Sequence, residues 1–236
     1  MDPEFLTAGL VWYVVFVLST TCHEAAHALA AKLGGDLTAF HGGQVSLDPT
    51  PHIRREPIGM VVAPILSYIM GGWIMGWASA PYDPYWARRH PHRAAWMSLA
   101  GPAANFALAI VAGILIHVGI WTGVFEHPDR AGFMHVVSAV GSGLRVGLAP
   151  FLSLMFSLNI LLGCFNLLPI PPLDGFSAIG LLMNEEKAGQ LEEFGARMRG
   201  FSYVGLLLAW QVFGPLFDPI FTLSLNILYP GHQYRA

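Results

Sequence analysis

The strongest constraint on the fold is a set of ionisable side chains inside a long apolar run. Residues 8–33 are apolar enough, and numerous enough, to cross the ~30 Å hydrocarbon core of a bilayer as one helix. The same run contains the sequence Cys22-His23-Glu24-Ala25-Ala26-His27. Ionisable groups are costly at membrane depth, so their presence there indicates a functional site.

The spacing of these residues indicates a metal site. His23 and His27 are four residues apart, so on a helix they project from one face, about one turn from each other. Two imidazoles in that arrangement suit two positions of a tetrahedral zinc site. Glu24 follows directly and completes the H-E-x-x-H pattern, in which the glutamate is the general base of a zinc hydrolase. So short a pattern also occurs by chance, but the apolar setting favours the metal interpretation.

Composition predicts an all-α polytopic membrane protein. The 236 residues are 54% hydrophobic and 11% charged, whereas about a quarter of the residues of a soluble domain are charged. We therefore expect residues 1–236 to form a single domain embedded in the lipid bilayer. No basic run indicates nucleic-acid binding. Cys22 and Cys164 both lie in apolar runs, so a structural disulfide is not expected.

Other apolar runs predict further membrane segments. Two of them, residues 93–120 and 146–168, are apolar over a length sufficient to cross the bilayer. Residues 57–80 are broken by proline and glycine, which allows either a kinked span or a re-entrant hairpin. Residues 200–230 are broken at Gly214-Pro215 and Asp218-Pro219, which allows one broken span or a hairpin. Residues 185–199 are charged and amphipathic, so we expect them outside the membrane.

The segment after the first apolar run is mixed. Residues 40–47 contain glycine turns between apolar residues and predict a short strand or hairpin at the membrane edge, with a plain loop as the alternative. Such a strand is able to pair with an extended peptide. His41 and His52 are candidates for additional metal ligands.

Two polar residues elsewhere need partners within the membrane. Asp174 follows three prolines on irregular backbone between apolar segments, where a metal is the partner that this sequence offers. The alternative is a turn carboxylate at the membrane surface. Asn105 lies inside the 93–120 run, in Gly101-Pro102-Ala103-Ala104-Asn105, and suits either an interhelical hydrogen bond or a substrate contact.

Three motifs stand in order along the chain: His23-Glu24-Ala25-Ala26-His27, then Gly101-Pro102-Ala103-Ala104-Asn105, then Asn166-x-x-Pro169-x-Pro171-Pro172-Leu173-Asp174-Gly175. Together they resemble the site-2 protease family of intramembrane zinc metalloproteases, over a catalytic core of about 8–185. The resemblance is to compact prokaryotic members that lack PDZ and CBS domains.

The resemblance implies a zinc endopeptidase that cleaves transmembrane protein substrates. It implies that His23, His27 and Asp174 hold one zinc ion per chain, and that Glu24 activates the attacking water. It also implies that Asn105 lies beside the substrate cleft. Two other functions fit parts of the pattern: a membrane zinc transporter, and an inactive scaffold that keeps the fold.

Topology follows from the need for one zinc site. The two histidines lie near the end of the 8–33 segment, and Asp174 follows the 146–168 segment. These ligands reach the same depth in the membrane only if the 57–80 segment leaves the membrane on the side from which it entered. We therefore predict that 57–80 is re-entrant. One side of the membrane then holds the basic residues Lys32, Arg54, Arg55, Arg88, Arg89 and Arg93. The positive-inside tendency makes that side cytoplasmic. We therefore expect the zinc site to face the cytoplasm of a prokaryotic cell.

Overall fold

The computed structural model describes residues 2–232 and Tyr234. Helices account for most of that part of the chain. Three short turns of other helix types occur at Ile58–Val62, Ile179–Leu182 and Arg199–Phe201. The named elements in chain order are α1 (Pro3–Gly34), α2 (Thr38–His41), α3 (Pro49–Arg55), α4 (Ala63–Gly71), α5 (Pro84–Arg89), α6 (Pro91–Trp121), β1 (Phe125–Glu126), β2 (Ser138–Ala139), α7 (Leu144–Asn166), α8 (Asp174–Ala178), α9 (Glu185–Met198) and α10 (Ser202–Leu228).

Four of these helices, α1, α6, α7 and α10, are long and apolar enough to cross a membrane. Helix α1 begins at a proline that follows Asp2, whose side chain accepts a hydrogen bond from the Glu4 amide. It is capped by Gly35, which has a left-handed backbone conformation (φ 98°) and whose amide donates to the carbonyls of Ala31 and Lys32. The prediction of an all-α polytopic membrane protein is confirmed.

The segment 57–80 turns back on itself, as predicted. Helix α4 ends at Gly72, where a positive φ of 73° reverses the chain. The returning extended segment then runs beside the outgoing helix, and the Trp77 amide donates to the Gly59 carbonyl at 3.1 Å. At the mouth of this hairpin the Ser79 hydroxyl donates to Glu56 at 2.6 Å. Both ends of the segment therefore lie on one side.

That side is the one where α1 ends. Asp36 follows α1 directly, and its carboxylate accepts a hydrogen bond from the Asp83 amide at 2.8 Å. At the opposite end of the hairpin, the Tyr68 hydroxyl donates to the Phe5 carbonyl in the first turn of α1. The hairpin thus follows α1 for much of its length without leaving on the far side.

The predicted strand at 40–47 is wrong. The Asp36 carboxylate accepts from both the backbone amide and the hydroxyl of Thr38, which starts the helical turn α2 in place of a strand. Gly43, with a φ of 74°, then redirects the chain. The only sheet in residues 2–232 pairs β1 with β2, antiparallel, between α6 and α7. A β element exists, but on the other side of the membrane helices.

Helix α6 lies at the centre and packs on both α1 and α7. Small side chains on α6, among them Ala109 and Ala112, are buried and allow this close approach. Helix α10 packs on α7 and is largely exposed, as a lipid-facing helix is. It is one continuous helix over Ser202–Leu228, through Pro215 and Pro219, so this stretch is a single helix of membrane-crossing length and not a hairpin.

Candidate metal centre

Helix α1 presents both predicted histidines to the protein interior. His23 and His27 are buried, and their Nε2 atoms lie 3.0 Å apart. The Nδ1 atom of His27 lies 2.7 Å from the carbonyl oxygen of Met97. A carbonyl oxygen only accepts hydrogen bonds, so Nδ1 carries the proton and Nε2 presents a lone pair to the centre.

Asp174, the first residue of α8, reaches the same point after the turn that follows α7. Its Oδ2 atom lies 3.1 Å from Nε2 of His23 and 3.3 Å from Nε2 of His27. The turn is tight because Gly175 lies against the Leu167 carbonyl, where a Cβ atom would overlap the carbonyl oxygen. Among the described residues, the three side chains form the one group of this kind able to hold a metal ion.

The donor atoms fit zinc. Ligands 2.0–2.2 Å from a tetrahedral zinc ion lie about 3.3–3.6 Å from one another, close to the observed separations. Asp174 Oδ2 is buried and has no hydrogen-bond partner within the described part of the chain. Lone pairs that face one another in a buried site repel unless a cation lies between them.

Helix α6 leaves space for the ion. Met97, Gly101 and Asn105 are four residues apart on α6, so they share the face that packs against α1. A Cβ atom at Gly101 would lie 2.5 Å from Nε2 of His23 and would also overlap Nε2 of His27. The missing side chain of Gly101 therefore keeps the centre open, which the sequence alone does not indicate.

Glu24 lies beside this centre. It is 6% exposed, next to His23 on α1. Among the described residues, no hydrogen bond or ion pair engages its carboxylate.

Asn105 lies behind His23. Its side chain is fully buried, with Oδ1 2.6 Å from Nδ1 of His23 and Nδ2 donating to Oδ1 of Asn159 at 2.8 Å. Both ends of the amide are thus hydrogen-bonded within the protein. This position gives no support to the predicted substrate contact and instead matches the alternative, an interhelical hydrogen bond.

The two additional histidine candidates do not join the centre. His41 is exposed at the end of α2. His52 is buried in α3, where its Nε2 contacts the Ser46 carbonyl at 3.1 Å. Asn159, in contrast, is not among the residues predicted from the sequence, although an asparagine within an apolar membrane helix is itself a signal of a specific partner.

Comparison with known proteins identifies the family. Residues 11–209 match Peptidase family M50. The chain belongs to this family. Membership confirms the prediction of a site-2 protease type metallopeptidase with a zinc cofactor, and it agrees with the donor set described above.

Relatives of this M50 peptidase carry matching descriptions. The "Putative zinc metalloprotease YwhC" of Bacillus subtilis is 30% identical over 224 residues, which are 92% of each chain. Rip2 of Mycolicibacterium smegmatis, with the same description, is 28% identical over 82% of this chain and 64% of its own. The regulator of sigma E protease of Haemophilus influenzae is 32% identical over 39% of this chain and 21% of its own. No solved structure matches.

Proposed function

We propose that this M50 peptidase is an intramembrane endopeptidase that hydrolyses peptide bonds of transmembrane proteins. In this proposal His23, His27 and Asp174 hold one zinc ion and Glu24 is the general base. The observation that carries it is the meeting of three buried donor atoms, from α1 and from the first residue of α8, inside a set of membrane-length helices. The whole of 1–236 then acts as one membrane-embedded domain, with its catalytic core in 8–185.

Each side chain has a separate task. When bound, zinc supplies an activated water and polarises the carbonyl that is attacked. The Glu24 carboxylate takes a proton from the attacking water and passes it to the leaving amine. Asn105 holds the imidazole ring of His23 at Nδ1, and the Met97 carbonyl holds the ring of His27 at Nδ1.

The substrate has to be extended where it is cut. A helical segment hides its carbonyl carbons behind side chains and its own hydrogen bonds. A transmembrane substrate therefore unwinds locally before it reaches the centre. The basic residues around the end of α1, the hairpin and the start of α6 support an orientation with this end of the protein toward the cytoplasm of a prokaryotic cell.

The test separates metal binding from cleavage. The wild type, Glu24→Gln and Asp174→Ala are purified in detergent, and zinc content and cleavage of a single-span test substrate are measured. We expect about one zinc per wild-type chain, the same content with cleavage lost in Glu24→Gln, and low zinc in Asp174→Ala. Glu186→Gln, which changes an exposed glutamate of α9, is the matched control and keeps both properties.

Three outcomes contradict the proposal in different ways. Cleavage by Glu24→Gln within about tenfold of wild type removes Glu24 from the role of base. Full zinc content in Asp174→Ala removes Asp174 as a ligand. Zinc binding by a folded wild type that cleaves no transmembrane substrate favours the transporter or the scaffold.

A further inference from the structure

Four buried polar side chains form a continuous chain of hydrogen bonds that ends on His23. Ser19, Asn159 and Asn105 are all fully buried. Asn159 Nδ2 donates to Ser19 Oγ at 2.9 Å, Asn105 Nδ2 donates to Asn159 Oδ1 at 2.8 Å, and Asn105 Oδ1 lies 2.6 Å from His23 Nδ1. The chain thus runs from α1 through α7 and α6 and back to α1.

The direction of this chain is fixed at one end by the backbone. Asn159 Nδ2 also donates to the carbonyl of Met155, at 2.8 Å, one turn earlier on α7. A carbonyl oxygen accepts and never donates, so the amide of Asn159 has one favourable orientation, with Oδ1 toward Asn105. Asn105 must then offer its NH₂ group to Asn159 and its oxygen to His23.

The consequence at His23 is a single tautomer. An oxygen next to Nδ1 requires Nδ1–H, which leaves the lone pair on Nε2, the atom that faces Asp174 and His27. If Asn105 were turned over, its NH₂ group would favour a proton on Nε2, which blocks metal binding. His27 needs no such arrangement, because Nδ1 contacts the Met97 carbonyl directly.

We propose that Asn159 is a positioning residue of the metal centre. It acts through Asn105 to hold His23 in the tautomer and ring orientation that bind zinc, although it touches neither the metal nor its ligands. This proposal rests on the proposed metal site and adds a residue outside the three sequence motifs. Partners that fix a ligand histidine in this way typically change metal affinity by about 10–100-fold when removed.

A purely structural role for Asn159 is the alternative to exclude. Buried polar side chains also join membrane helices, and their loss weakens the fold without a specific effect on one histidine. Ser153 provides a matched control, because it is fully buried on the same helix and its hydroxyl accepts from the Val136 and Val137 amides, away from the centre. Ser153→Ala should lower stability and leave zinc affinity unchanged.

The experiment measures zinc affinity by competition with a chelator, in full-length detergent-purified protein whose metal-free form is checked for thermal unfolding. We expect about a tenfold weaker zinc affinity in Asn159→Leu and a roughly 10–100-fold weaker one in Asn105→Leu. When Asn159→Leu is added to Asn105→Leu, the further loss of zinc affinity should be less than about twofold, because Asn159 acts on His23 only through Asn105. Asn105→Asp should lose less affinity than Asn105→Leu, because one carboxylate oxygen accepts from Nδ1–H although the other faces the Asn159 oxygen.

A second measurement reports the tautomer itself. The imidazole ¹⁵N chemical shifts of His23 in metal-free protein should indicate Nδ1–H in the wild type and a mixture in Asn159→Leu. If Asn159→Leu folds poorly, Asn159→Asp replaces it. A protonated carboxyl at this buried position keeps an oxygen toward Asn105 and a donor toward the Met155 carbonyl, so zinc affinity should stay within a few-fold of the wild-type value.

The proposal is overturned if Asn159→Leu binds zinc as the wild type does, or if its effect is undiminished in the Asn105→Leu background. It is also overturned if Asn159→Asp loses as much affinity as Asn159→Leu. Because zinc affinity is measured without substrate, a wild type that binds zinc but cleaves nothing refutes the proposed proteolysis alone. A folded wild type that binds no zinc refutes both proposals.

Discussion

Replacement of Gly101 by alanine provides a sharp test of the centre, because its effects on the fold and on the site can be measured separately. A Cβ atom at this position would lie 2.5 Å from His23 Nε2, whereas carbon atoms in good contact with a neighbour are about 3.5–4.0 Å away. Helix α6 or the imidazoles must therefore move by about 1 Å. A shift of this size exceeds the roughly 0.5 Å within which the groups of a functional site must be held.

The fold itself should change little. Alanine in a helix interior is more favourable than glycine by about 1 kcal/mol, while overpacking of a filled interior costs about 1–3 kcal/mol. These two effects offset each other to within about 2 kcal/mol, so metal-free Gly101→Ala should unfold close to the wild-type temperature. Its zinc affinity, in contrast, should fall by about 10–100-fold, the range typical when the support of a ligand histidine is disturbed.

Chelator competition measures the zinc affinity, and thermal unfolding of the metal-free protein measures the stability. Gly113→Ala is the matched control, since a Cβ there would meet the flexible end of Leu228 at 3.2 Å, on the same helix and away from the centre. It should bind zinc as the wild type does. Wild-type zinc affinity in Gly101→Ala would refute the idea that this glycine makes room for the ion.

Two further predictions concern the region at the end of α1. Burial raises the pKa of Asp36, but hydrogen bonds from Thr38 and from the Asp83 amide lower this pKa by more. The pKa of Asp36 is therefore lower in the folded protein than in the unfolded chain. The ionised carboxylate stabilises the fold fully above about pH 4, and this stabilisation is lost as the pH falls further. Asp36→Ala should therefore cost about 2 kcal/mol at pH 7 and flatten the acid limb of a thermal-unfolding profile, and an unchanged acid limb would contradict a lowered pKa. Arg54→Cys and Arg88→Cys, at exposed positions on either side of the hairpin and in a background without native cysteines, should both react with an impermeant maleimide in inside-out vesicles and not in intact cells. Opposite accessibility of the two sites would refute the return of the hairpin, and reaction of both from outside would refute the orientation.

The part of the site that the sequence predicts is the part that depends on local spacing. His23 and His27 share a face because they are four residues apart on a helix, whatever surrounds them. The prediction of Asp174 rests on an unpartnered carboxylate and on the resemblance to a family. The return of 57–80 follows from the requirement that distant ligands reach one depth.

The features that the sequence does not predict depend on contacts between segments. Residues 40–47 have the pattern of a strand, but the Asp36 side chain starts a helix at Thr38. The sheet between α6 and α7 consists of two pairs of residues, too short to leave a pattern. Helix α10 continues through Pro215 and Pro219, because free carbonyls in membrane helices find local alternatives. The space at Gly101 exists only because α1 packs on α6.

The proposed metal ligands are divided between α1 and the first residue of α8, and this division sets an order for biosynthesis. His23 and His27 are made early, whereas Asp174 follows two more membrane helices and the hairpin. At about 5–20 residues per second, the ribosome adds Asp174 roughly 7–30 s after His27. A site with two of its three ligands lacks the donor set of a catalytic zinc centre. In the proposed site, the donor set therefore stays incomplete until α7 and the first residue of α8 have been made.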